Sequence, residues 1–215
     1  MKYKYILFDL DGTLTDPKIG ITKSVQYALE KNDIEVESIR ELEKFIGPPL
    51  KDSFMQFYSF DDQRAVEAIE HYREYFKDKG IYENEVYKGI EALLCKLRSK
   101  GCIIAVATSK PTVFAKRIIE YFSLEKYFDI VVGSNLDGTR VDKAVIISFT
   151  INKLKIEELE QTVMIGDRKH DIIGALKNNV DSIGVVYGYG TLEELKAVKP
   201  TYIVDSIKGL YEALT

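Results

Sequence analysis

The residues Ile6-Leu7-Phe8-Asp9-Leu10-Asp11-Gly12 form a short apolar run that ends abruptly in acids and glycine. Such a run, beginning here at Tyr3, is typical of a buried β-strand that passes into a loop. Four later apolar runs have the same form, and a shorter sixth run follows near the end of the chain. These later runs cover residues 102–107, 130–132, 162–165, 182–186 and 202–204.

Segments with a helical spacing of apolar residues lie between these predicted strands. They cover residues 91–100, 113–122, 143–154, 171–178 and 192–198. Strands that alternate with helices favour a parallel sheet with helices on both faces, and strands buried on both sides are expected to be almost continuously apolar. We therefore predict an α/β fold with a Rossmann-like parallel sheet as its core.

One long segment after the first predicted strand has a different pattern. Residues 16–81 contain no strand signal, and Val66, Ile69, Tyr72 and Phe76 recur at helical spacing. The sequence therefore predicts an all-α domain over residues 16–81, inserted into a core that comprises residues 1–15 and 82–215.

Composition and charge exclude several classes of protein. The 215 residues are 46% hydrophobic and 30% charged, which is typical of a globular chain. A formal net charge of -4 argues against nucleic acid as the main partner, and two cysteines are too few for a disulfide scaffold. No apolar run approaches the ~20 residues that span a bilayer, and the N-terminus has no signal-peptide pattern. We expect a cytoplasmic protein, either monomeric or homodimeric, that does not bind membranes.

Asp9 and Asp11 lie where the first predicted strand ends. In parallel α/β sheets, ligands bind beyond the carboxyl ends of the strands. Two carboxylates at positions i and i+2 repel each other unless a cation lies between them, and Mg²⁺ prefers such hard oxygen ligands. A tight turn at Gly12 can also direct backbone N–H groups at an anion. The alternative is a turn with solvated acids.

A second pair of acids follows the predicted strand at 162–165. Asp167 and Asp171 are four residues apart at a strand–helix junction, so both side chains can face the same edge of the sheet as Asp9. An acid at the start of a helix also complements the helix dipole. Because the first pair of acids lies at the same edge, a metal site explains the second pair better.

Two further groups follow strand ends. Thr108, Ser109 and Lys110 come after the run at 102–107, where a hydroxyl can cap a helix or bind phosphate. Lys143 begins the helix after the run at 130–132, so its ammonium group is either a phosphate ligand or an ordinary surface charge.

Taken together, Asp9-Leu10-Asp11-Gly12-Thr13, Thr108-Ser109, Lys143 and Gly166-Asp167 with Asp171 resemble the motifs of the haloacid dehalogenase superfamily of phosphohydrolases. Within it, the chain is similar to the phosphoglycolate phosphatase-like branch, and residues 16–81 resemble its small helical cap. The resemblance implies that Asp9 is the nucleophile, that Asp11 is the general acid and base, and that Lys143 is catalytic.

The same resemblance implies a ligand set. Mg²⁺ would be held by Asp9, the main-chain carbonyl of Asp11, Asp167 and Asp171. Arg168 stands where the family often has a small hydroxyl residue, so it either contacts the substrate or pairs with an acid. The candidate substrate-binding residues are Gly12, Thr13, Thr108, Ser109, Lys110, Arg168 and, in the helical insert, Pro48.

The resemblance implies a phosphatase that acts on a small phosphorylated metabolite through an aspartyl-phosphate, with phosphoglycolate as the first substrate to consider. A 5'-nucleotidase, a pyrophosphatase and a sugar-phosphate mutase remain alternatives, because they share these motifs. A non-enzymatic phosphate-binding module is disfavoured, since a receiver-like module has no helical insert and no GxGxxG follows any predicted strand.

Overall fold

The computed structural model describes residues 1–215 and divides them into two compact units. The larger unit comprises Met1–Asp16 and Val86–Thr215, and the smaller unit comprises Pro17–Glu85. The strands are β1 (Tyr5–Phe8), β2 (Thr15–Asp16), β3 (Glu85–Val86), β4 (Ile103–Pro111), β5 (Ile130–Ser134), β6 (Thr162–Gly166), β7 (Asp181–Val185) and β8 (Tyr202–Val204).

The α-helices follow the predicted alternation with the strands. They are α1 (Lys18–Glu30), α2 (Leu50–Tyr58), α3 (Asp62–Tyr75), α4 (Ile90–Ser99), α5 (Thr112–Tyr121), α6 (Lys143–Leu154), α7 (Lys169–Lys177), α8 (Leu192–Ala197) and α9 (Ile207–Leu214). Helices α1 to α3 make up most of the smaller unit, together with a 3-10 turn at Ile39–Phe45 and a π-helical turn at Phe76–Gly80. No helix has both the length and the hydrophobicity that crossing a membrane requires.

Six parallel strands form the sheet of the larger unit, which confirms the predicted α/β fold. Their order is β5-β4-β1-β6-β7-β8. The chain runs outward from β1 through β4 to β5, and then crosses back to β6 on the other side of β1. This reversal beside the central strand is where ligands bind in such sheets, at the carboxyl ends of the strands.

Both faces of the sheet are buried, as its apolar strands require. Leu7 packs in one cluster with Ala105 and Met164 of the neighbouring strands and with Ile146 of α6. Ile6 and Phe8 point to the opposite face, because side chains alternate along a strand, and they too are fully buried. This two-sided burial gives the loops at the carboxyl edge a rigid base.

Two details differ from the sequence prediction. Strand β4 continues to Pro111, and α5 begins only at Thr112, so Thr108 lies in extended chain and does not cap the helix. Helix α9 was not predicted, although its buried Leu210 and Leu214 have helical spacing. The segment is short and terminal, which makes its pattern easy to miss.

Candidate active site

Three carboxylates from two separate stretches of chain meet at the carboxyl edge of the sheet. Asp9 directly follows β1, Asp167 directly follows β6, and Asp171 lies in the first turn of α7. One carboxylate oxygen from each of them lies within 4.8 Å of the others, and all three residues are buried. Asp171 also accepts a 3.1 Å hydrogen bond from the backbone N–H of Arg168, so it caps α7 as well. The position at the start of the helix is thus observed, and the role of Asp171 as a metal ligand stays a prediction.

Lys143 lies between two of these carboxylates. Its Nζ is 2.8 Å from Asp9 Oδ1, 2.8 Å from Asp171 Oδ1, and donates to the Ala107 carbonyl at 3.1 Å. Burial lowers the pKa of Lys143, but the attraction of Asp171 and Asp9 outweighs burial and leaves the pKa raised. The buried side chain is therefore a charged ammonium group, and not a solvated surface lysine.

Asp11 forms an ion pair of its own beside this cluster. Lys110 Nζ lies 2.5 Å from Asp11 Oδ2, and the two side chains are largely buried. Burial raises the pKa of Asp11, while the charge of Lys110 opposes the rise. The other oxygen, Oδ1, is buried without a hydrogen-bond partner. Lys110 was predicted only as a substrate ligand, and its pairing with Asp11 was missed.

The turn after Asp11 fits closely against Asp167. Gly12 adopts φ +82°, and a Cβ at this position would overlap with the Asp167 carboxylate. Thr13 is fully buried, and its Oγ donates to Asp167 Oδ1 at 3.3 Å. Only glycine suits position 12, because both the backbone conformation and the close approach exclude a side chain.

The remaining candidates occupy different surroundings. Thr108 is buried, and its hydroxyl accepts the backbone N–H of Lys110 at 3.3 Å. The Ser109 hydroxyl donates to the Val141 carbonyl at 3.3 Å. Arg168 pairs with Glu194 through a 3.0 Å contact, which is the second of its two expected roles. Pro48 belongs to the smaller unit, between its 3-10 turn and α2.

The charges of the site suit a divalent cation. Four buried acids lie beside two ammonium groups, so the cluster would carry two unbalanced negative charges if every acid were ionised; the acids are Asp9, Asp11, Asp167 and Asp171. Burial, and then repulsion from Asp171 and Asp9, raises the pKa of Asp167 to about 8. Burial likewise raises the pKa of Asp171 to about 6. Oxygen ligands in a negatively charged cluster are the set that Mg²⁺ prefers.

The fold and this acidic cluster together define a Rossmann-like α/β protein with a candidate metal site at the carboxyl edge of its sheet. Residues 6–185 match the model of the haloacid dehalogenase-like hydrolase family, and the chain belongs to that family. Many of its relatives and structural neighbours are phosphatases by name, and the chain is a phosphatase. Mycobacterial relatives that are 34% identical are instead named tyrosine-protein kinase PtkA.

Three similar proteins illustrate the range of names. The chain is 48% identical to a 5'-nucleotidase of Pseudomonas aeruginosa over 214 residues, covering 100% of this chain and 96% of that protein. It is 28% identical to a phosphoglycolate phosphatase of Vibrio parahaemolyticus over 220 residues, covering 98% and 96% of the two chains. The crystal structure of a predicted phosphatase from Clostridium acetobutylicum has a TM-score of 0.96 and 55% identity, and the match covers 100% of this chain and 99% of that one.

The raised pKa of Asp167 predicts how the stability of the metal-free protein depends on pH. A carboxyl whose folded-state pKa is raised to about 8 does not lower the unfolding free energy at a pH below its usual pKa of 3.8. The loss of unfolding free energy grows between about pH 3.8 and about pH 8, because the unfolded carboxyl gives up its proton there while the folded carboxyl keeps it. Asp167→Asn stays neutral, so between about pH 5 and about pH 8 it should gain at least about 1.4 kcal/mol of unfolding free energy relative to the unmodified protein.

Urea denaturation in EDTA at several pH values measures this difference. The exposed Glu120, changed to Gln, provides the control, since its charge lies outside the cluster. If the unfolding free energies of Asp167→Asn and of the unmodified protein change in parallel from pH 5 to 8, the raised pKa of Asp167 is contradicted.

Proposed function

We propose that the protein is a Mg²⁺-dependent phosphomonoesterase that hydrolyses a small phosphate monoester through an aspartyl-phosphate on Asp9. The observation that carries this proposal is the buried group of Asp9, Asp167 and Asp171, with the Lys143 ammonium 2.8 Å from two of them. The Asp9 carboxylate lies beside the Lys143 ammonium group, where the strand order of the sheet reverses. It is therefore suitably placed to attack phosphorus.

The carboxylates of Asp9, Asp167 and Asp171 would hold the metal, together with the main-chain carbonyl of Asp11. A bound Mg²⁺ neutralises charge, so that an anionic nucleophile can approach an anionic phosphate. Such an ion would offset the excess of carboxylates over ammonium groups in the cluster.

In the first step, an oxygen of Asp9 bonds to phosphorus and the bond from phosphorus to the ester oxygen breaks. Asp11 gives its proton to the departing oxygen, and this step needs the protonated acid that burial favours. In the second step, Asp11 takes a proton from water, whose oxygen bonds to phosphorus. The bond between phosphorus and Asp9 breaks, inorganic phosphate leaves, and both aspartates return to their starting forms.

The oxygens of the transferred group need fixed donors. Lys143 supplies a charged group, and Thr108 and Ser109 supply hydroxyl and backbone groups from the end of β4. The turn at Gly12 and Thr13 adds backbone donors. Donors held in place before the reaction stabilise the charge that develops in the transition state. Lys110 would release Asp11 to the leaving oxygen and contact the substrate.

The helical unit Pro17–Glu85 would act as the cap that selects the substrate. Pro48, which follows Gly47 at φ +101°, is the proposed contact from that unit. Arg168, held by Glu194, would contribute from the core. The protein would act in the cytoplasm, as a monomer or homodimer, on soluble phosphorylated metabolites.

A nucleoside 5'-monophosphate is the first substrate class to consider, and phosphoglycolate is the second. The order is supported by the two named relatives, because the chain is 48% identical to the 5'-nucleotidase and 28% identical to the phosphoglycolate phosphatase. The motifs alone favour neither, since both substrates present the same phosphate group.

Asp9→Asn should lower kcat for p-nitrophenyl phosphate by about 1000-fold or more, because it removes the nucleophile itself. Removal of Mg²⁺ with EDTA should have a comparable effect, and added Mg²⁺ should restore activity. Release of p-nitrophenol, with the exposed Asp205→Asn as control, is the measurement. Full turnover by Asp9→Asn, or in EDTA, contradicts the proposal.

Asp11→Asn should slow the hydrolysis of alkyl phosphates by about 100-fold or more, because an alkoxide needs a proton in order to leave. Nitrophenolate leaves without help, so the loss in formation of the phosphoenzyme from p-nitrophenyl phosphate should be less than about 10-fold. Rapid-quench measurement of the first turnover separates this step from water attack. Equal losses on both esters would argue that Asp11 is not the acid.

A panel of phosphate esters tests the order of substrates. We expect kcat/KM for nucleoside 5'-monophosphates to exceed kcat/KM for phosphoglycolate by about 10-fold or more, the ratio that about 1.4 kcal/mol of binding to the nucleoside would produce. Phosphate release is the readout for both. A preference for phosphoglycolate reverses the order, and isomerisation of a sugar phosphate without phosphate release would indicate a mutase.

A further inference from the structure

We propose that residues 187–190 (Tyr187-Gly188-Tyr189-Gly190), named the positioning loop, hold Asp167 at a fixed distance from the turn after Asp11. The positioning loop thereby sets the affinity of the site for Mg²⁺. The loop follows β7 and contains no acid, so neither the motifs nor the metal-ligand group includes it. This inference rests on the proposed function, because it requires that Asp167 binds the metal.

Neutral donors hold the Asp167 carboxylate. The backbone N–H of Tyr189 donates to Oδ2 at 2.8 Å, and the Thr13 hydroxyl donates to Oδ1 at 3.3 Å. Lys143, the charged lysine of the cluster, contacts Asp9 and Asp171 instead. The direction of the Asp167 oxygens therefore depends on the positioning loop on one side and on the turn after Asp11 on the other.

A second hydrogen bond connects the loop to that turn. The Tyr187 hydroxyl donates to the Thr13 carbonyl at 3.0 Å, so it fixes the residue whose own side chain holds Asp167. The ring of Tyr87 packs edge-on against the Tyr187 ring, with centroids 5.1 Å apart. This contact limits the rotation of Tyr187 and keeps its hydroxyl directed at the turn.

The glycines let the backbone of the loop approach both groups closely. A Cβ at Gly188 would overlap with the Gly12 carbonyl and with the Asp167 side chain. A Cβ at Gly190 would overlap with the Asp167 carbonyl. Contact this close is needed for the Tyr189 N–H to reach the carboxylate, and a side chain at either position would push the loop away.

Both ends of the loop are anchored. At its start, the Val186 N–H donates to the Val204 carbonyl at 3.0 Å, which extends the pairing of β7 with β8. Further along, the Tyr189 hydroxyl donates to the carboxylate of Asp16. The loop is thus tied to β8, to Asp167 after β6, and to two residues after β1. It acts as a spacer between the strands that carry Asp9 and Asp167.

Calorimetric titration of the full-length protein with MgCl₂ tests the proposal without measuring activity. We expect Tyr187→Phe to raise the Kd for Mg²⁺ about 10-fold, and Gly188→Ala to raise it about 100-fold, since residues that orient metal ligands commonly have effects of this size. The matched controls are Tyr5→Phe, which removes a 3.0 Å hydrogen bond to Glu158 at the other end of β1, and Gly209→Ala in helix α9. Both controls should keep the original Kd.

A purely structural role would lower the unfolding temperature and leave the Kd unchanged at a temperature where every variant is folded. In turnover, a positioning role raises the Mg²⁺ concentration for half-maximal rate, while kcat at saturating Mg²⁺ recovers. Tyr187→Phe removes one hydroxyl and decides the matter if Gly188→Ala does not fold.

The outcomes separate the two proposals. If the unmodified protein binds no Mg²⁺, the proposed function fails. If the unmodified protein binds Mg²⁺ and Tyr187→Phe binds it equally well, the positioning role of the loop is refuted and the proposed function stands. If Tyr187→Phe and Tyr5→Phe weaken Mg²⁺ binding equally, the positioning role of the loop is also refuted. The loss would then follow from removing any partly buried tyrosine hydroxyl and would not be specific to the loop.

Discussion

Four acidic side chains share one buried edge of the sheet with only two lysines. This excess of acids determines which groups must lie in contact with them. Burial makes each charge costly, and proximity adds repulsion between the acids. Lys143 offsets two of the acids and Lys110 offsets a third, but Asp167 has only neutral donors in contact with it. Under the proposed function, a divalent cation would offset this excess of acids.

The topology of the sheet explains how so many charged groups reach one place. Strand β1 lies between β4 and β6, and in a parallel sheet all three carboxyl ends face the same way. Asp9, the residues around Thr108 and Asp167 therefore become neighbours, although long stretches of chain separate them. Helix α6 adds Lys143 from its first turn. The strands are buried on both faces, so the spacing of these groups is set by the rigid core.

Much of this arrangement could be predicted because strand ends are readable in a sequence. An apolar run that stops at an acid or a hydroxyl marks both the element and the edge where its side chain will lie. Pairings that depend on exact backbone course could not be predicted. Lys110 reaches Asp11 only because β4 continues to Pro111, and the pairing of Arg168 with Glu194 depends on where α8 packs.

The positioning loop shows a different limit of sequence reasoning. Its contacts with Asp167 and Thr13 use one backbone N–H and one tyrosine hydroxyl, and tyrosine and glycine occur in ordinary loops for many other reasons. An acidic residue can indicate a metal site from the sequence, because carboxylates bind cations. A backbone N–H donor is not marked by any particular residue type. The geometry of an acidic site can therefore be controlled by a segment without a single acid. In this fold that segment follows β7, the neighbour of the strand that carries Asp167, because adjacent parallel strands deliver their loops to the same edge.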